Sequence, residues 1–100
     1  MVARVSRYEL PGDRADDAVT RFGEAFEQIT QLDGFRDGYL LVDRESHCAT
    51  TITIWSSVAA MEASRVTATR LRTEAAQAAD GVVTSSQEFE VAIHTQEGRG

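Results

Sequence analysis

The side chains with chemical reach are two histidines, one cysteine, two tyrosines, one tryptophan and several arginines. His94 is the candidate general base. It alternates with Glu90 and Ala92, and a carboxylate near an imidazole raises its pKa and fixes its tautomer. Four residues along a strand span about 13 Å, so such a pair must meet through a neighbouring strand or a second subunit. Tyr8 and Tyr39 are hydroxyl donors for a ligand oxygen. Arg65 and Arg72 can hold an oxygen anion and lower the pKa of the group that bears it. Trp55 offers an indole on which an aromatic ligand can stack. Each has a plainer reading: packing tyrosines, surface arginines, a core or interface tryptophan. The adjacent His47 and Cys48 suggest a metal or thiolate site, but nothing else in the sequence completes a ligand set, and an exposed turn is expected there.

Two absences exclude mechanisms. The chain has no lysine and no asparagine. Schiff-base lysines, P-loop lysines and catalytic asparagines therefore cannot operate. Ser6 and Ser64 have no histidine near them in sequence, and no nucleophile elbow or triad pattern occurs. No glycine-rich dinucleotide fingerprint and no clustered ligands are present, so no cofactor and no metal are expected. A net charge of −6 argues against nucleic acid and against an anionic membrane surface. No apolar run approaches the roughly 20 residues of a membrane span, and the first residues lack a signal-peptide core. With a single cysteine, Cys48, these features predict a cytoplasmic protein.

The elements that must position these residues follow from pattern. Residues 2–10 read as a strand, broken by Pro11-Gly12. Asp13 is the expected N-cap of a helix, with Asp16 and Asp17 in its first turn. Ala15, Ala18, Val19, Phe22, Ala25, Phe26, Ile29 and Leu32 recur at spacings of three and four, which marks one apolar helix face, and Gly34 is the expected C′ residue. Strands are expected over 38–44 and 49–56, joined by a polar turn. Ser56 or Ser57 caps a second helix over 58–79, weakly patterned, with a break expected near residues 64–67 and its end at Gly81. A last strand is expected over 87–95, with Phe89, Val91 and Ile93 on one face and Glu88, Glu90, Ala92 and His94 on the other.

The order β-α-β-β-α-β predicts an α+β, ferredoxin-like domain with a four-stranded antiparallel sheet and both helices on one face. One domain over 1–96 and a flexible tail over 97–100 are expected. Apolar residues point to both sheet faces, with Ile52 and Ile54 opposite Trp55. Helices on one side leave the other face wet, so a homodimer through that sheet face is expected.

Gly34-Phe35, Gly38, Trp55 closing the third strand and Ala60-Met61-Glu62-Ala63 opening the following helix resemble the antibiotic-biosynthesis monooxygenase family of dimeric α/β barrels. The resemblance spans the chain from the first strand through His94. It implies two subunits packed sheet to sheet, each with a pocket between sheet and helices. It also implies, in some members, oxidation of phenolic or polyketide-like aromatics by molecular oxygen without a cofactor; other members degrade haem. On this resemblance Trp55, Tyr8 and Arg65 bind a small aromatic ligand, while His94, Arg72 and Tyr39 are catalytic. The chain departs from the family at Ser64, where members often carry histidine. It also departs near Ser6, where the haem-degrading branch uses asparagine, and in a later helix without tryptophan or histidine, which leaves iron no evident proximal ligand.

Two functions follow. One is a cofactor-independent monooxygenase acting on a small aromatic or quinol-like compound. The other is a non-catalytic homodimeric module that binds a small molecule or serves in stress response.

Overall fold

A computed structural model describes residues 1–95. Gln96 and the expected tail, 97–100, lie outside the described residues. Six elements alternate in the expected order: β1 (Val2–Glu9), α1 (Ala15–Ile29), β2 (Phe35–Asp43), β3 (Cys48–Trp55), α2 (Val58–Ala78) and β4 (Val82–Glu90). The antiparallel sheet has strand order β2-β3-β1-β4, the ferredoxin-like arrangement, with both helices against one face.

Strand alternation divides the sheet into two surfaces. Val2, Arg4, Ser6 and Tyr8 of β1 face the helices, in register with Trp55, Thr53, Thr51 and Ala49 of β3. Tyr8, Phe22, Ile29 and Trp55 are fully buried between the layers. The Tyr8 and Phe22 rings lie 5.0 Å apart, and Phe35 meets Trp55 edge-on at 5.6 Å. The outer face carries Val5, Ile52, Tyr39, Leu41 and Phe89, the last three about half exposed.

Several local expectations are corrected. The Pro11–Arg14 turn closes through Arg14 N–H to the Pro11 carbonyl before the helix begins, so the N-cap is Arg14 and not Asp13. α1 ends at Ile29, and Gly34 is not its C′ residue. Gly34 ends the tight turns that follow, at φ 82°, and a Cβ there would overlap the Ala60 Cβ at the start of α2. α2 is continuous, without the expected break: Ser57 caps it by accepting from Ala60 N–H, and Ser64 donates to the Met61 carbonyl inside the helix. It ends in a Schellman pair, Asp80 N–H to Gln77 and Gly81 N–H to Ala76, with Asp80 rather than glycine in the left-handed conformation. Arg14 holds the Asp80 carboxylate at 2.8 Å.

β4 starts five residues earlier than expected and ends at Glu90. The Schellman turn sends the chain straight back along β1, and polar Ser86 and Glu88 occupy helix-facing positions, so no apolar alternation marks the strand. His94 lies beyond β4 and does not share a strand face with Glu90. After Val91 N–H bonds the Met1 carbonyl, the chain crosses the sheet end, and His94 Nε2 comes within 3.9 Å of Asp37 Oδ2 on β2. It crosses the row Phe89, Ala3, Ile54, Asp37, where Ala3 and Ile54 are buried although they point away from the helices.

Candidate active site

The α2 half of the layer contains a polar cluster, buried on β1, β3 and α2 and open to solvent along β4. Alternation on β1 sets Arg4, Ser6 and Tyr8 in one row beneath the helix. β4 lays Glu88 beside Arg4 and Ser86 beside Ser6; β3 lays Thr53 and Thr51 on the other side. α2 closes the cluster with Met61, Ser64, Ala68 and Arg72, at helical spacings of three and four.

The hydroxyls pair with one another. Ser6 Oγ and Ser86 Oγ are 2.9 Å apart, and Tyr8 Oη and Thr51 Oγ1 are 3.0 Å apart. The guanidiniums are less well served. Arg4 is 2% exposed and Arg72 5% exposed. Arg4 donates to Glu88 Oε2 from Nε and Nη2, both at 3.4 Å, and from Nη2 to the Met61 carbonyl at 3.3 Å. Arg72 donates from Nη2 to Thr69 Oγ1 at 3.3 Å. The Nη1 atoms of both are enclosed and have no partner. Charge-assisted N–H···O contacts ordinarily run at about 2.7–2.9 Å, so these pairings are loose.

Burial lowers the Arg4 pKa from its usual value, with Glu88 opposing the shift. Burial lowers that of Arg72 as well; Tyr8 opposes this and Arg4 adds to it, so the two cations sense each other. Arginine stays protonated despite such shifts. The solvent side of the cluster is fastened by Arg65, which bonds Glu62 and Glu88 at 2.9 Å each. The Glu62 hydrogen bond, then Glu88, raises the Arg65 pKa.

A cleft opens between β1, α2 and β4, lined by Ser6, Tyr8, Thr69, Arg72, Thr73, Val83 and Ser86. Its volume of about 70 Å³ matches roughly two waters at about 30 Å³ each. Chemically, the arrangement can receive an oxygen anion against Arg72, with hydroxyls from Ser6, Tyr8 and Ser86 around it.

Of the residues singled out from sequence, Tyr8 and Arg72 meet at this cleft, and Arg65 reaches the cluster through Glu88. Trp55 lies in the same layer but does not line the cleft; it is fully buried and its Nε1 donates to Thr53 Oγ1 at 3.0 Å. Tyr39 stands on the outer sheet face, and His94 sits by Asp37, so neither is brought to the cleft within one subunit. His47 lies in the β2–β3 turn at φ 59°, beside the free Cys48. Sequence reasoning missed Arg4, Glu88, Ser86 and Thr69. A signal existed for Arg4: it shares the every-second-residue row with Ser6 and Tyr8, and a charge in the inward row of a central strand is unusual.

No protein-family model matches the chain. Two uncharacterized proteins of Mycobacterium tuberculosis, MT2634 of strain CDC 1551 / Oshkosh and Rv2557 of strain H37Rv, are each 32% identical over 91 residues. Those residues are 90% of this chain but 41% of either relative, so the chain spans about two-fifths of their length. Among solved structures, SnoaB, a cofactor-independent oxygenase from Streptomyces nogalater, superposes with a TM-score of 0.71 at 20% identity, covering 96% of this chain and 97% of SnoaB. A candidate antibiotic biosynthesis monooxygenase from Deinococcus radiodurans gives 0.76 at 13% identity, over 99% and 100%. A MhuD mutant with two manganese protoporphyrin IX bound per active site gives 0.73 at 23% identity, over 97% and 100%. Across its described length the chain has the fold of the antibiotic-biosynthesis monooxygenases.

Proposed function

We propose that the chain is a cytoplasmic member of the antibiotic-biosynthesis monooxygenase family, a single domain over residues 1–96, and that it oxidises a small aromatic or quinol-like compound with molecular oxygen and no cofactor. The observation that carries this reading is the enclosed, unpartnered Nη1 of Arg72 at a hydroxyl-lined cleft, in a fold shared with a cofactor-independent oxygenase. Arg72 and Tyr8 hold the substrate oxygen as an anion. That anion passes one electron to oxygen; the resulting superoxide and substrate radical join at a ring carbon bearing hydrogen. The hydroperoxide loses water, so the C–H becomes C=O and one oxygen atom leaves as H₂O. The protein supplies anion stabilisation and a dry cavity. α2 must move off the sheet to admit a ring, because the cleft as it stands holds little more than water.

MhuD binds a porphyrin, and the residues here do not suit one. α2 carries no histidine, and His47 and His94 both stand outside the layer. A second subunit covers the outer sheet face, whose Tyr39, Leu41 and Phe89 are each about half exposed. The second reading, a non-catalytic homodimeric binding module, is favoured by the small cleft and by the lack of asparagine.

The test is oxygen uptake with a panel of quinols and naphthols, with the product identified by mass. Uptake above the enzyme-free rate, lost in Arg72→Ala, is expected. Ligand binding with no uptake across the panel favours the binding module.

A further inference from the structure

Among the described residues, the charged side chains that are buried are Arg4 and Arg72, and no carboxylate is buried with them. A chain of net charge −6 thus keeps two cations in its interior without a full counter-charge. Burying a charge is costly unless it is paired. Glu88 is the nearest partner of Arg4, yet it stays at 3.4 Å, while it bonds Arg65 at 2.9 Å. Glu88 is therefore anchored by Arg65 and only leans on Arg4. It can remain on Arg65 when another carboxylate takes Arg4. The cleft beside Arg72 is lined by the small Ser6 and Ser86, while Arg4 lies next along β1 and does not line it; Ser64 and Ala68 share the buried face of α2 with Arg72. Arg4 and Ser6 are two residues apart on one strand face, about 7 Å, and Arg72 meets Ser6 across the cleft.

We propose that Arg4 and Arg72 form a two-cation site for an aromatic hydroxycarboxylate, the carboxylate binding Arg4 and the ring hydroxyl facing Arg72 and Tyr8. This rests on the oxygenase reading for the role of Arg72 and narrows its substrate class from phenols to phenolic acids. An enclosed Nη1 at each end meets one oxygen group of such a ligand. A neutral phenol satisfies only one.

Trp55 donates to Thr53, the cross-strand neighbour of Arg4, so its fluorescence reports on this end of the layer. Titrations with 3-hydroxy-2-naphthoate, 2-naphthol and sodium sulfate, checked by calorimetry, test the proposal. The hydroxynaphthoate should bind at least roughly tenfold tighter than 2-naphthol, as expected of a charge-assisted contact. Arg4→Gln should bring that ratio towards one, and Arg4→Lys should keep part of it. Arg72→Gln should weaken both ligands. Equal affinity in the wild-type protein, a ratio that survives Arg4→Gln, or no binding of either aromatic overturns the proposal. So does sulfate competing at the same concentration, which would reduce the site to a bare anion hole. The wild-type comparison decides even if the variants fail to fold. Oxygen uptake is read separately: Arg4-dependent carboxylate binding without uptake sinks the oxygenase reading and leaves this site standing.

Discussion

The layer between sheet and helices is built in two ways. Its α1 half is apolar: Ala18, Phe22, Ala25 and Ile29 join Tyr8 and Trp55 in one cluster, with Phe35 and Leu40 packed against it. Its α2 half, away from Met61 and Leu71, is small and polar: Ser6, Ser64 and Ala68 are buried with two arginines, beside the exposed edge strand β4. One half gains free energy by removing apolar surface from water. The other spends part of it on buried charge. The difference separates what holds the fold from what leaves room for a ligand.

The largest expected effect lies in the apolar half. Phe22 is fully buried against Tyr8. Phe22→Ala should cost about 3–5 kcal/mol, lost transfer energy plus a cavity. Urea denaturation measures it; a loss under about 1 kcal/mol would mean that α1 is not the anchor.

Filling the polar half tests its looseness. Ala68 is fully buried and lies between Ser64 and Arg72 on the inner face of α2. Overpacking ordinarily costs about 1–3 kcal/mol. Ala68→Leu should fall at the low end of that range and abolish ligand quenching of Trp55. A cost at the high end with binding intact would place the ligand elsewhere.

Removing a buried cation should have a smaller effect, of the opposite sign. Arg72→Met deletes a guanidinium whose Nη1 is unpartnered and keeps an unbranched apolar stem. Replacing a buried charge with a well-packed apolar group is often neutral or stabilising, here up to about 2 kcal/mol. Binding should fall while the melting temperature holds or rises. A clear fall in melting temperature would make Arg72 a structural residue.

The same contrast decided what could be read from sequence. α1 was legible because its buried face is apolar at helical spacing, and Pro11-Gly12, Gly34 and Gly81 punctuate the chain where the elements change. The order of elements and the ferredoxin-like sheet follow from those signals. The break expected in α2 and the late start expected for β4 share one cause. Neither element shows a clean apolar face: α2 buries the polar Ser64 and Arg72, and β4 is an edge strand exposed along nearly its whole length, so a hydrophobicity pattern marks neither. Tyr8 and Arg72 were legible as residue types, whereas Arg4 was hidden in a strand scored by its valines. Local rules tend to fail at functional sites, and here they fail on the residues that surround the cleft.

The smallest effect belongs to neither half and sets the scale for both. In the turn joining β2 and β3, Asp43 Oδ1 accepts from the backbone N–H of Glu45 at 3.1 Å and of Ser46 at 3.2 Å. These bonds, that from Ser46 first, lower the Asp43 pKa from its usual value. A carboxyl whose folded pKa is depressed adds stability that is present above its unfolded pKa, about 3.9, and is lost as pH falls through the folded value. Asp43→Ala should therefore be slightly less stable than wild type at pH 7 and equal to it at pH low enough to protonate the folded carboxyl. Asp43→Asn keeps an acceptor oxygen and should lose the pH dependence but not all of the turn. The amide resonances of Glu45 and Ser46 should follow the titration of Asp43 with a midpoint below that of an unperturbed aspartate. A midpoint at the ordinary value, with a stability difference that persists into acid, would show that the turn is held by its backbone alone, including the left-handed His47, and not by this carboxylate.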